Sequence, residues 1–247
     1  MWSNTDYRQA VGVAILLSLG ITPKVQAIAP SMRENFETSQ IPGVVWVVQR
    51  MEEFPEAERY YTEGDRLQEE GDLERAVASY QQAIRLNPNF TEAQINLGVA
   101  LVNLGRISEA IAAYRNAIAT NSQLPTAHYN LADALAKQQE FDAAIAAYRE
   151  AIRLQPNYDK AYYNMANILV NLGEIPEAIS AYQKAIEINP NFAQAYGNLG
   201  MVLLGQGNHK EATPILQTAR YLFQQQGNFS AVSRIDRLLQ QLGTRSY

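Results

Sequence analysis

From residue 57 onward, small and large apolar residues recur in a fixed order. Small residues stand at Gly64, Gly98, Ala132, Ala166 and Gly200, at Ala76, Ala110, Ala144, Ala178 and Ala212, and at Ala83, Ala117, Ala151, Ala185 and Ala219. Each set has a period of 34 residues, which gives five units: 57–90, 91–124, 125–158, 159–192 and 193–226. Larger residues keep the same register. They are Leu67, Leu101, Leu135, Leu169 and Leu203 at the eleventh position, and Tyr80, Tyr114, Tyr148, Tyr182 and Leu216 at the twenty-fourth. Only Gly or Ala allows two helices to approach at the short end of the roughly 8–10 Å interaxial range, so this order predicts two helices per unit, crossing at the small residues.

Turn signals divide each unit. Gly71, Gly105, Gly173 and Gly207 recur at the fifteenth position, where a left-handed residue ends the first helix. Pro88, Pro156 and Pro190 stop the second helix, because proline lacks an N–H and clashes with the preceding turn. Two departures are local: Ser122 replaces the proline of the second unit, and Gln139 replaces the turn glycine of the third. The fifth unit ends in Gln224-Gln225-Gln226-Gly227 without proline, so its second helix is expected to run longer than the others.

A 34-residue helix-turn-helix with this order of small and large residues resembles the tetratricopeptide repeat. The resemblance covers residues 57–226 and implies an all-α fold, a right-handed α-solenoid of five units. After Gly227, Phe229, Val232, Ile235, Leu239 and Leu242 share one face of a further amphipathic helix. Residues 227–247 are therefore expected to form the polar-backed capping helix and tail that an open-ended stack needs.

The chain before the repeats has a different composition. Arg8 precedes an apolar stretch from Ala10 to Ile21, followed by Pro23 and Val25-Gln26-Ala27. Residues 1–27 read as a secretory signal peptide cleaved after Ala27, which would place the mature protein in the periplasm, a thylakoid lumen or the extracellular space. The alternative is an uncleaved N-terminal membrane anchor, although the run falls short of the roughly 20 apolar residues that span a bilayer. Residues 28–56 form an N-terminal extension whose apolar run, Val44 to Val48 with Trp46, is expected either to pack on the first repeat or to serve as an exposed interaction segment.

Totals narrow the function. Hydrophobic residues make up 47% and charged residues 18%, which excludes a disordered chain, and a net charge of −5 argues against a nucleic-acid binder. The absence of cysteine removes disulfides, thiolate metal sites and cysteine nucleophiles. The two histidines, His128 and His209, lie in different repeats without metal-ligand spacing and read as packing residues. Carboxylate pairs such as Glu52-Glu53 and Glu69-Glu70 read as solvated. No catalytic site, metal site or cofactor is expected, and the chain is not expected to be an enzyme.

The first helices leave one stripe over, at positions two, six, nine and thirteen of each unit. In the tetratricopeptide family this stripe lines the concave groove. Its sixth position reads Asn96, Asn130, Asn164 and Asn198. An amide both donates and accepts, so a row of them suits an extended backbone of any sequence. The row is similar to the asparagine ladder of O-linked N-acetylglucosamine transferases, whose catalytic domain is absent here. The asparagines could instead bond locally along the groove. At ~1 kcal/mol per hydrogen bond, four amides give ~4 kcal/mol, about millimolar affinity, so other side chains must contribute. Candidates are Tyr61, Tyr129 and Tyr163, which could equally pack between repeats, with Asn103, Asn167 and Asn171 as polar contacts and Asp133, Lys137 and Lys160 as charged ones. The lysine/arginine clamp of co-chaperone tetratricopeptide domains is echoed only by Lys160, and its activity does not carry over.

The expected function is a protein-interaction scaffold holding an extended or helical segment of a partner protein in this groove. The alternatives are a docked accessory or assembly subunit of a cell-envelope or photosynthetic-membrane complex and, from another class, an enzyme or carbohydrate-binding protein using the groove tyrosines. Neither a nucleic-acid partner nor a membrane span after cleavage is expected.

Overall fold

The computed structural model describes residues 42–244. The signal-peptide reading of residues 1–27 lies outside the described residues, as do the side chains of the Val44 to Val48 run. Eleven α-helices are described: α1 Pro42–Glu69, α2 Leu73–Leu86, α3 Thr91–Asn103, α4 Ile107–Thr120, α5 Pro125–Lys137 and α6 Phe141–Leu154, then α7 Asp159–Leu172, α8 Ile175–Ile188, α9 Ala193–Gly205, α10 His209–Gln225 and α11 Phe229–Thr244. No strand occurs among the described residues, and none of their helices is long and apolar enough to cross a membrane. The chain divides into two compact units, one ending at Ala100 and the other beginning at Leu101.

The first unit holds α1, α2 and most of α3. Helix α1 is 28 residues long because it runs through Pro55 without a break, so the backbone ahead of Ala57 continues the first repeat's opening helix. At the α1/α2 crossing a Cβ on Gly64 would stand 2.6 Å from Cε1 of Tyr80, whose side chain is fully buried. That contact leaves no room for alanine.

The second unit holds α4 to α11. The pairs α5/α6, α7/α8 and α9/α10 follow the same plan. Ala144, Ala151, Ala178, Ala185, Ala212 and Ala219 are all 0% exposed at the crossings, and Tyr148, Tyr182 and Leu216 fill the space around them. Helix α7 ends at Gly173 in the left-handed region, φ 81°, and the Glu174 amide returns to the Leu169 carbonyl at 2.9 Å. Gln139 takes the same conformation with a side chain, φ 63°, and the Glu140 amide reaches Leu135 O at 3.0 Å. The fold therefore imposes the turn even where glycine is missing, with a left-handed cost of roughly 1–2 kcal/mol.

Asparagine explains why Ser122 is tolerated in place of proline. Asn121 Oδ1 accepts from the Gln123 amide at 3.0 Å, as Asn189 accepts from Asn191 at 3.2 Å, closing a side-chain turn at the helix end. Helix α10, without the terminal proline, extends to 17 residues against 14 in α8. Helix α11 sets Ala231, Val232 and Ile235 against Ala193, Leu216, Ala219 and Phe223, and Arg220 on α10 forms an ion pair with Asp236. Phe229, expected on that apolar face, is instead 67% exposed, since it sits at the first turn of α11 beyond the contact.

Candidate functional site

A recurring set of four polar side chains is built around the stripe singled out in the sequence, which supplies its asparagine and its acceptor. In the second unit, Asn164 on α7 donates through Nδ2 to Tyr129 Oη at 3.0 Å and to Asp133 Oδ1 at 3.0 Å, both on α5. Tyr148 on α6 donates its hydroxyl to the same Asp133 oxygen. One repeat later, Asn198 Nδ2 donates to Tyr163 Oη at 3.2 Å and Asn167 Oδ1 at 2.8 Å, and Tyr182 donates to Asn167 at 2.6 Å. The first unit holds a third copy, in which Asn96 donates to Tyr61 at 3.1 Å and Asp65 at 2.9 Å, with Tyr80 donating to Asp65 at 2.7 Å. Each bracket joins three helices.

The brackets are the local bonding along the groove that the sequence left open beside the ladder. Both amide protons of Asn96, Asn164 and Asn198 point to the preceding repeat, so only their carbonyl oxygens remain for a partner. Asp133 and Asn167, expected as partner contacts, are half-buried acceptors inside the brackets. Tyr61, Tyr129 and Tyr163 are likewise structural: their rings lie 4.9, 4.9 and 4.8 Å from Phe90, Tyr158 and Phe192. Asn130 is the exception, because its side chain makes no hydrogen bond among the described residues. At the corresponding positions of the preceding repeat the sequence has Ile95 and Val99, whose side chains cannot accept one.

Electrostatics fix the direction of these bonds. Burial first, then the Asp133 carboxylate, raises the Tyr148 and Tyr129 hydroxyls well above the ordinary phenol range. Burial pushes Tyr182 up to about 12. The phenols therefore remain protonated donors. Asn167 in place of an aspartate shows that the bracket needs an acceptor oxygen rather than a charge.

The remaining predicted residues are free of internal partners. Lys137, Lys160, Asn103 and Asn171 are exposed, and their side chains form no hydrogen bond or ion pair among the described residues. Some other basic side chains are tied locally, as Arg153 is to Glu150 and Lys184 to Glu187. The histidines divide. His128 is buried, and its Nε2 lies 3.1 Å from the Ser122 carbonyl, the place that Gln94 takes on Pro88 O at 2.7 Å. His209, expected to pack, is exposed at the first position of α10.

One feature was not legible at the sequence level. A cavity of about 590 Å³ opens beside α9, lined by Tyr163, Gly197, Asn198 and Met201 and by Arg234 and Arg237 of α11 among others. The fifth repeat has Gly197, Met201 and Leu216 where the bracketed repeats have tyrosine, a carboxylate or amide, and tyrosine. That triple replacement was the available signal.

Paired helices in a 34-residue register, laced by side-chain brackets, define a helical-repeat interaction scaffold. The comparisons agree. Family models described as "Tetratricopeptide repeat" match residues 61–125, 98–159, 147–180 and 192–229, and one described as "TPR repeat" matches 166–207. The chain belongs to the tetratricopeptide-repeat family. The crystal structure of MamA protein is similar, with a TM-score of 0.64 at 29% identity over 70% of this chain and 94% of that one. Two further structures share the fold: MamA from Desulfovibrio magneticus RS-1 (TM-score 0.64, 22% identity, 69% of this chain and 96% of that one) and YrrB, "a TPR protein with an unusual peptide-binding site" (TM-score 0.60, 24% identity, 72% and 90%). Among curated proteins, an uncharacterised protein of Methanocaldococcus jannaschii is 40% identical over 55 residues, which is 22% of this chain and 64% of that relative's length.

Proposed function

We propose that the chain captures an extended or helical segment of a partner protein on the stripe formed by α5, α7 and α9. The observation that carries this reading is the division of that stripe. Its lower layer is closed by brackets, while Asn130, Lys137, Lys160 and Asn171 offer donors with no internal partner. Met201, 48% exposed, adds an apolar contact. Unpaired donors are satisfied by water in the free protein and become specific contacts when a partner replaces that water. The bracketed asparagines contribute only acceptors, so the partner must present donors to them. The MamA and YrrB structures support a scaffold of this type, and YrrB is described by its peptide-binding site.

Export belongs to the same proposal: the apolar stretch Ala10 to Ile21 and the following Val25-Gln26-Ala27 suit cleavage by a signal peptidase. The partner would then be an extracytoplasmic protein. Photo-crosslinking residues placed at Lys137 and at Asn171, with Arg149 on α6 as a control, test the binding face. Crosslinks to one partner from the first two positions and not from Arg149 support the reading. Crosslinks from Arg149 alone favour an accessory subunit docked through its second helices.

A further inference from the structure

We propose that the cavity between α9 and α11 is an anchor pocket for an aromatic side chain of the partner segment, flanked in that segment by a carboxylate. The inference rests on the partner-binding reading above and names the partner's chemistry at one end of the stripe. In the bracketed repeats the fifth position is a tyrosine whose ring fills the space beside the twenty-fourth residue; Tyr163 and Tyr182, for example, have ring centroids 6.0 Å apart. In the fifth repeat that tyrosine is Gly197, the twenty-fourth residue is Leu216, and about 590 Å³ is left open. The walls offered to an entering ring are apolar: Met201, Leu216, Phe223 and Ile235. Three repeats supply a ring here and the second supplies Ile95, whereas the fifth has only Gly197, so an aromatic side chain from outside matches the space left open.

Charge defines the rest of the occupant. Arg234 and Arg237 stand one turn apart on the pocket side of α11, both exposed, and no Asp or Glu lines the cavity. The nearest carboxylate in sequence, Asp236, is already paired with Arg220. Neither lining arginine forms an ion pair among the described residues; Arg237 Nε donates only to the Ser233 carbonyl, at 3.3 Å. A guanidinium fork binds a carboxylate through two parallel hydrogen bonds, so two unpaired forks at the rim select an acidic neighbour of the aromatic residue. Asn198 and Tyr163 line both the pocket and the stripe, which makes a peptide the occupant that reaches both.

The probe is a blocked pentapeptide, Gly-Asp-Phe-Asp-Gly, titrated into the isotopically labelled full chain and followed by amide chemical shifts. Binding centred on Gly197, Ala231 and Leu238 is expected. Affinity should fall at least tenfold when the peptide carries Asn for Asp or Ala for Phe. Gly197→Tyr, which returns the missing ring, should also weaken binding at least tenfold. A Cβ at Gly197 meets only Phe223 Cε2 at 3.6 Å, an ordinary contact, so the substitution starts without a clash. The double variant R234Q and R237Q should weaken binding equally, and it tests the charge component whatever Gly197→Tyr does to folding. Equal affinity for the Asn-containing peptide, shifts centred elsewhere, or no binding at millimolar peptide overturns the proposal. If Gly197→Tyr retains crosslinking from Lys137 and Asn171 while wild-type protein ignores the peptide, the pocket reading fails and the stripe reading stands. Loss of those crosslinks from wild type, with peptide binding intact, is the reverse result.

Discussion

Replacing Asn164 by alanine separates the two roles that the asparagine row could play. The substitution deletes the Nδ2 donor to Tyr129 Oη and to Asp133 Oδ1, each 3.0 Å away. A hydrogen bond to a charged group contributes about 1.5–3 kcal/mol and a neutral one about 0.5–1.5, so the loss is about 2–4 kcal/mol after helix propensity returns a few tenths to alanine. In a chain of this size that corresponds to a fall in Tm of roughly 4–16 °C. Asn130→Ala serves as the internal control, because the same residue type at the same register position makes no side-chain hydrogen bond among the described residues. Its stability should stay within about 0.5 kcal/mol of wild type. Circular dichroism during heating and urea titration reads both. Equal melting of the two variants would refute the bracket, and a Tyr129→Phe, Asn164→Ala cycle would show whether any residual loss belongs to the Tyr129 bond.

Three further outcomes follow from the same structure. Gln139→Gly relieves a side chain held at φ 63° and should stabilise the chain by about 1 kcal/mol, seen as a higher urea midpoint with unchanged slope. In spectrophotometric titration Tyr80, Tyr129, Tyr148 and Tyr182 should form a late class that ionises above the ordinary phenol range, because burial raises each hydroxyl. Because the folded values lie above the unfolded value near 10, the contribution of these phenols is complete below pH 10 and declines as pH rises beyond it, so the late class should ionise together with alkaline unfolding. Mass spectrometry of the chain recovered from its native compartment should give Ile28 as the mature N-terminus; an intact Met1 terminus held in a membrane would contradict cleavage.

The repeat plan was legible because five copies sample one 34-residue register, and small residues can be read as helix crossings at each. Legibility stopped at Asn164. A row of asparagines shows which stripe they share but not the direction in which an amide donates, and the bracket draws its four members from three helices. A pairing signal was nevertheless present: Tyr61, Tyr129 and Tyr163 are each followed four residues later by Asp65, Asp133 and Asn167, whereas Ile95 and Gly197 are followed by Val99 and Met201. Tyrosine and acceptor come and go together, as partners in one hydrogen-bond network must. The 34-residue register also does not show where the first helix begins, since α1 starts ahead of the first unit and passes through Pro55. His209 showed that register alone does not guarantee burial. It begins α10, and the four residues at its register position in the other repeats are apolar.

On the proposed function, the unpaired donors of α5 and α7, rather than the bracketed asparagines, hold the partner. Once a partner has been identified by crosslinking, its Kd for the double variant Lys137→Glu and Lys160→Glu tests this most directly. Both side chains are exposed and unpaired, so the urea midpoint should not move, while reversing two contacts should weaken binding at least tenfold and reduce its salt dependence. Unchanged affinity in the folded double variant would move the binding surface off this stripe.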